Sequence, residues 1–258
     1  MNDRALGLTY DGDSVNSESH AVMQNEPGRI HWMETREGKR VFRYQKAEEA
    51  FAIGQVSMIS ALLDNFDVDG AQAIGTTRLQ GIGDFTANEF NDGTFPSSFV
   101  TIDISTWFGQ TLAIFGNRGS TDFLDLDQNG WDVALTAASD YVTYDINYVS
   151  LADTDDVSIQ ASEVRGVAIS AVTDEQWSWF QVGGFCPMVR AIGTTDPAVR
   201  GAIIVPSATA GACKGPLGAG ITGQEASIAF GVALHAYAEA DTAGRGLAAI
   251  LNCRYALL

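Results

Sequence analysis

The residues best able to do chemistry fall in three places along this chain. Gly218-Ala-Gly-Ile-Thr-Gly223 has the glycine spacing of a dinucleotide phosphate loop, and Glu239 and Asp241 follow where a ribose-binding acid would stand. That chemistry requires the glycines directly between a strand and a helix, so that helix-terminal N–H groups meet the pyrophosphate. Here the preceding strand candidate, Ala202-Ile-Ile-Val205, ends at Pro206, a dozen residues too early, and the segment after the glycines suits a strand at least as well as a helix. No cofactor is expected.

The second place is Asp125-Leu-Asp-Gln-Asn-Gly130, which copies the first half of a calcium loop. Asp125, Asp127 and Asn129 supply oxygen ligands at alternate positions and Gly130 allows the sharp turn, but the twelfth position, normally a bidentate glutamate, is Thr136. Asn129-Gly130 is also a good hairpin turn by itself. The segment is a weak calcium candidate, and a bound ion would raise the melting temperature at millimolar calcium.

The third place is the set of nucleophiles and aromatics. His20, His31 and His235 are the only histidines, and Cys186, Cys213 and Cys253 the only cysteines. No GxSxG, HExxH or paired Cys/His spacing joins them, and a cysteine alternating with apolar residues is more often a small buried hydrophobe than a nucleophile. Without a convergent acid, base and nucleophile, an enzyme is not expected. Trp177 and Trp179 share one face of a strand and suit either a sugar-binding floor or packing in a core or interface.

The elements that must position these residues are strands. Arg165–Val172 and Trp177–Val182 flank the polar Thr173-Asp-Glu-Gln176 as a β-hairpin that stops at Gly183-Gly184. Ile228, Phe230, Val232, Leu234 and Ala236 alternate with small residues, and Leu247, Ala249, Leu251, Cys253, Tyr255 and Leu257 repeat the pattern after Gly244 and Gly246. Period two places each set on one sheet face. Earlier, Gly38–Tyr44 is a strand and Gln55–Leu63 suits a strand or a short helix. Residues 64–97 are turn-rich, and strands return at Phe99–Ile104, Thr111–Phe115, Val133–Leu135 and Tyr141–Tyr144.

The fold class expected is therefore all-β, an antiparallel β-barrel or sandwich with an inserted small β-subdomain and an extended N-terminal arm. Its parts are an arm over 1–34, the first strands with a turn-rich connection over 35–97, the inserted subdomain over 98–158, and the rest of the main domain over 159–258. The arm is polar, with apolar anchors that include Tyr10, Met23, Ile30 and Trp32. Those anchors need another surface to order them.

Composition narrows the function classes. With 46% hydrophobic residues in 258 the chain can bury a large core. Thirty-two acidic against fifteen basic residues give a formal charge of −17, which repels nucleic acid and anionic membrane. No apolar run reaches membrane-spanning length, and the N-terminus lacks a basic region followed by an apolar one. An odd cysteine count without CxxC fits free thiols in a reducing cytoplasm.

In segment order the chain resembles the capsid decoration, or cement, proteins of tailed-bacteriophage heads. The resemblance is carried by Gly38-Lys-Arg-Val-Phe-Arg-Tyr-Gln-Lys-Ala47, Ile53-Gly-Gln-Val56, Leu112-Ala-Ile-Phe115 and Trp131–Ser139, and most strongly by Arg165-Gly-Val-Ala168, Trp177–Gly184 and Gly231-Val-Ala-Leu234. It spans most of residues 38–258 and leaves the arm outside. It implies a virion structural protein that binds the major capsid protein where capsomers meet, commonly as a homotrimer, and staples the head against the pressure of packaged DNA. It implies assembly in the host bacterial cytoplasm and a final place on the capsid surface. Tyr10, Met23, Ile30, Trp32, Trp177 and Trp179 are the interface candidates. The alternative is a tail component, or a glycan- or host-binding module on the virion exterior that grips through Trp177 and Trp179.

Overall fold

The computed structural model describes residues 19–87, 90, 98–103, 110–117, 119–126, 130–137, 139–152, 164–192, 200–207, 209–215, 229–236 and 245–253. Among these residues the protein is all-β and has no helix. The strands are β1 (Ile30–Thr35), β2 (Gly38–Ala47), β3 (Val56–Asp67), β4 (Arg78–Gln80), β5 (Ser98–Asp103), β6 (Thr111–Gly116) and β7 (Phe123–Leu126). They continue as β8 (Asp140–Leu151), β9 (Val164–Ala168), β10 (Trp177–Ala191), β11 (Ile203–Pro206), β12 (Cys213–Lys214), β13 (Gly231–Ala233) and β14 (Arg245–Asn252). The chain forms two compact units, Met1–Ile59 with Val149–Leu258, and Ser60–Tyr148.

The first unit is organised around β10, 15 residues long. Its first half pairs antiparallel with β2, from Trp177↔Lys46 to Gly183↔Val41, and with β9 at Phe180↔Ala168 and Gln181↔Val167. Its second half pairs with β14, from Gly183↔Asn252 to Ala191↔Arg245, and in parallel with β12 at Ala191↔Cys213. Pairing then runs from β14 through β13 and β11 to β12 and so back to β10, a closed circuit. A second circuit leaves β10 through β9, β3 and β8 and returns through β2. At its Val149–Leu151 end, β8 enters through the bonds Glu48 N to Val149 O and Ala152 N to Val56 O.

The hairpin expected around Thr173–Gln176 is present, with β9 and β10 as its arms. Gly183-Gly184 does not end the strand as the sequence suggested; it lies inside β10. Bulges between Gln181 and Gly183 and between Cys186 and Val189 let β10 turn without leaving the ladder. Gly184 sits at φ +80°, and a Cβ there would collide with the Lys39 carbonyl oxygen and stand 3.0 Å from Arg40 Cα. Only glycine allows β2 to approach β10 so closely. The run from Gln55 is a strand, not a helix, because Val56–Met58 pairs with β9.

Period two is accurate for β14, where Leu247, Ala249, Leu251 and the following Cys253 are all buried while Ile250 is exposed. It fails around β13, where Phe230 is buried but Val232 and Leu234 are each 38% exposed, and Gly231 and Ala233 turn inward instead. The strand is only three residues long, so Phe230 and Leu234 lie outside its alternation.

The arm expected over 1–34 needs correction from residue 19 onward. Ser19 Oγ donates to Gln176 Oε1 at 2.6 Å, and His20 exchanges backbone hydrogen bonds with Trp177. Gly28 and Arg29 bond the backbone of Tyr44, and β1 continues that pairing from Ile30↔Arg43 to Thr35↔Gly38. Met33 is the physical reason: it is 7% exposed and packs with Phe42, Tyr44, Trp177 and Trp179. Residues 1–18, and with them Tyr10, lie outside the described residues.

The second unit has the strand order β8, β5, β6, β7, β4. The boundary expected at Ser98 lies instead at Ser60. Val68, Leu79, Phe85 and Phe90 belong to one core with Val100, Ile102, Leu112, Leu124, Trp131 and Tyr141, so the turn-rich segment is held by the strands after it. Tyr141 donates its hydroxyl to Asp84 Oδ2 at 2.6 Å, which ties β8 to that segment.

All three thiols are buried in the first unit's main core, with Val182, Val189, Leu247 and Leu251. Loss of water pushes Cys186 from 9.0 up to about 11 and Cys253 up to about 12, and pushes Cys213 upward as well. Unfolded thiols ionise near pH 9 while the folded ones hold their protons, so the unfolded state binds fewer protons above that pH and stability falls. We expect the melting temperature to be flat from pH 7 to 8.5 and to drop from about pH 9 to 11. Replacing the three cysteines by alanine should remove part of that drop, whatever it does to the plateau.

Candidate interaction surface

The chemistry of the surface follows from the alternation of β1. Met33 points into the core and His31 is half-buried, so Ile30 and Trp32 face outward, 41% and 64% exposed. Lys39, opposite Glu34 in the register, places its Nζ 3.8 Å from the centre of the Trp32 ring. That cation–π contact holds the indole flat against the hairpin while leaving it open to water. Val22 and Met23, just before the hairpin, are 71% and 47% exposed. Ile30 and Trp32 are thus held outward on a backbone fixed by a full antiparallel ladder.

Of the roles open to them, Trp177 and Trp179 take core packing and not the interface or sugar-floor one. They are 7% and 2% exposed and form an aromatic layer between β2 and β10. Trp177 stacks on Tyr44 with ring centres 5.6 Å apart, Trp179 lies 5.1 Å from Tyr44, and His31 meets Trp179 edge-on at 6.0 Å. They clamp the β1–β2 hairpin onto β10 and present no face to a sugar or a neighbouring subunit. Burial also pushes the Tyr44 hydroxyl above its ordinary range, although the Gln24 N–H donates to it at 3.1 Å. The hydroxyl therefore stays protonated and anchors the segment that carries Val22 and Met23.

No family model, curated protein or solved structure matches this chain.

Gly218–Gly223, Glu239 and Asp241 lie outside the described residues, as do Asp127 and Asn129. Asp125 is on β7, and its Oδ1 accepts from Arg78 Nε of β4 at 2.8 Å, a pair with both side chains largely exposed. Among the described residues no group of three or more His, Cys, Asp and Glu is placed to hold a metal. His20 pairs with Trp177 through its backbone, the His31 ring meets Trp179 edge-on, and His235 is exposed after β13. The alternation of Ile30, Trp32 and Met33 already carried the signal for the outward face of β1; the contribution of Lys39 was not legible, because it depends on the cross-strand register.

Proposed function

We propose that this chain is a virion structural protein, a capsid decoration protein that docks at capsomer junctions of a tailed-phage head and braces it against internal DNA pressure. The observation that carries the reading is the pair of outward apolar residues Ile30 and Trp32 on the laddered β1, with Val22 and Met23 also exposed in the segment before it. Its partners are the major capsid protein and further copies of itself as a homotrimer, and its place is the capsid surface after assembly in the host cytoplasm. A charge of −17 suits this, since it keeps a high-copy protein soluble and repels the packaged DNA. The two closed strand circuits around β10 are read as small barrels, which resist deformation because they leave few edges. A docking footprint of ordinary size is roughly 1,600 Å² in total, and three linked contacts strengthen one another through effective concentration.

The test uses heads assembled with and without the protein. Removing residues 1–30, or changing Trp32→Ala alone, should lower head occupancy and the temperature at which heads release DNA. Unchanged occupancy and heat resistance in both variants would sink the reading.

A further inference from the structure

One edge of β1 is left without a partner strand. Gly28, at φ +75°, donates its N–H to Tyr44 O at 2.8 Å, and Tyr44 N–H donates to Arg29 O at 3.0 Å. This glycine bulge sets which bonds follow, because bonded and non-bonded pairs alternate along an antiparallel ladder. His31↔Phe42, Met33↔Arg40 and Thr35↔Gly38 are then the bonded pairs, and the hairpin closes on the last of them. The N–H and C=O groups of Ile30, Trp32 and Glu34 therefore point away from β2, and among the described residues no strand pairs with them.

The edge strand β4 of the second unit is treated differently. Its outward groups are taken by the chain itself: the Gln72 amide donates to Arg78 O and accepts from Gln80 N–H, both at 2.8 Å, and Asp69 N–H donates to Gln80 O at 3.0 Å. An open edge strand is a template for another strand, and proteins commonly cover it. β1 presents Ile30 and Trp32 beside such an edge, with no comparable cap among the described residues.

Eighteen residues precede Ser19, the first described one, and they contain a run with strand alternation, in which Gly7 and Thr9 separate Leu6, Leu8 and Tyr10. The place where the described chain begins suits that run to the edge. His20 lies on the side of β10 away from β2, bonded to Trp177, and Trp177 stands opposite Lys46, beyond the Ile30 end of β1. A segment running antiparallel to β1 finishes at that same Ile30 end. From His20 to a strand beside β1 is four strand spacings, about 19 Å. Residues 11–18 span up to about 27 Å when extended, which is enough to bridge it.

We propose that residues 6–10 add to the open edge of β1 within the same chain, antiparallel, with Tyr10 opposite Ile30, Leu8 opposite Trp32 and Leu6 opposite Glu34. In that register the outward groups of Ile30, Trp32 and Glu34 each find a backbone partner. Tyr10 with Ile30 and Leu8 with Trp32 become cross-strand apolar pairs, and Asp11 comes level with the exposed Arg29. Effective concentration favours the same chain over a second copy, as does the repulsion between two bodies of charge −17. The pairing does not rest on the capsid reading, and it is tested on the isolated protein, so either can fail alone.

Amide hydrogen exchange of the full chain reads this edge residue by residue. In the native protein Trp32 and Glu34 N–H should exchange at least about tenfold more slowly than in Leu8→Pro, which removes a donor aimed at β1. His31 and Met33, bonded to β2, should be unchanged, which shows the hairpin intact. Thr9→Pro is the control: the Thr9 N–H faces away from β1 in this register, so most of the protection should remain. Protection should not vary with protein concentration. Equal exchange at Trp32 and Glu34 in the native chain and in Leu8→Pro would overturn the proposal, as would an equal loss in Thr9→Pro. Protection that rises with concentration would overturn it too, by assigning the added strand to a second copy.

Discussion

Alanine at Gly184 is expected to remove about 4 kcal/mol of stability, from about 1–3 kcal/mol of backbone strain and about as much again from overpacking. The position is left-handed at φ +80°, and the new methyl would meet backbone on the facing strand, the Lys39 carbonyl and Arg40 Cα. Neither obstacle can swing aside as a flexible side chain would. For a chain of this length the melting temperature should fall by about 10 °C. Gly201 provides the control: φ is +83°, yet nothing lies within 4 Å of its added Cβ. Gly201→Ala should therefore cost only about 1 kcal/mol, the strain without the collision. Equal losses at the two sites would show that close approach of β2 to β10 does not matter.

The second large effect separates two kinds of tryptophan. Trp179→Ala should cost about 3–5 kcal/mol, because it empties a site enclosed by Tyr44, His31 and Met33. Its indole Nε1 is buried without a hydrogen-bond partner, so Trp179→Phe gives up no such bond and should recover most of the loss. Trp32→Ala removes an exposed ring and one cation–π contact, worth about 1 kcal/mol or less. Denaturant melts of the three variants give the comparison directly. If Trp32→Ala proved as damaging as Trp179→Ala, the outer face of β1 would be part of the fold and not a surface for a partner.

These two residue classes also show how far the sequence could be read. Alternation located β2, β9, β14 and the start of β10, and the buried set Leu247, Ala249, Leu251 and Cys253 is the one that period two specifies. Alternation says which residues share a face and not what covers that face. Trp177 and Trp179 were accordingly open to a sugar, a core or an interface, and the covering layer is the chain's own hairpin, carrying Met33. Glycine carried a similar ambiguity. Gly183-Gly184 has the composition of a break, and only the crossing strand at Lys39 reveals a bulge that keeps β10 continuous.

The double role of β10 has a thermodynamic meaning. Each of the two strand circuits in the first unit is closed by this one segment, through Trp177–Gly183 on one side and Gly183–Ala191 on the other. Release of β10 opens both circuits at once. We therefore expect the first unit to unfold as one cooperative body, with hydrogen exchange of β2, β9 and β14 amides lost together with that of β10.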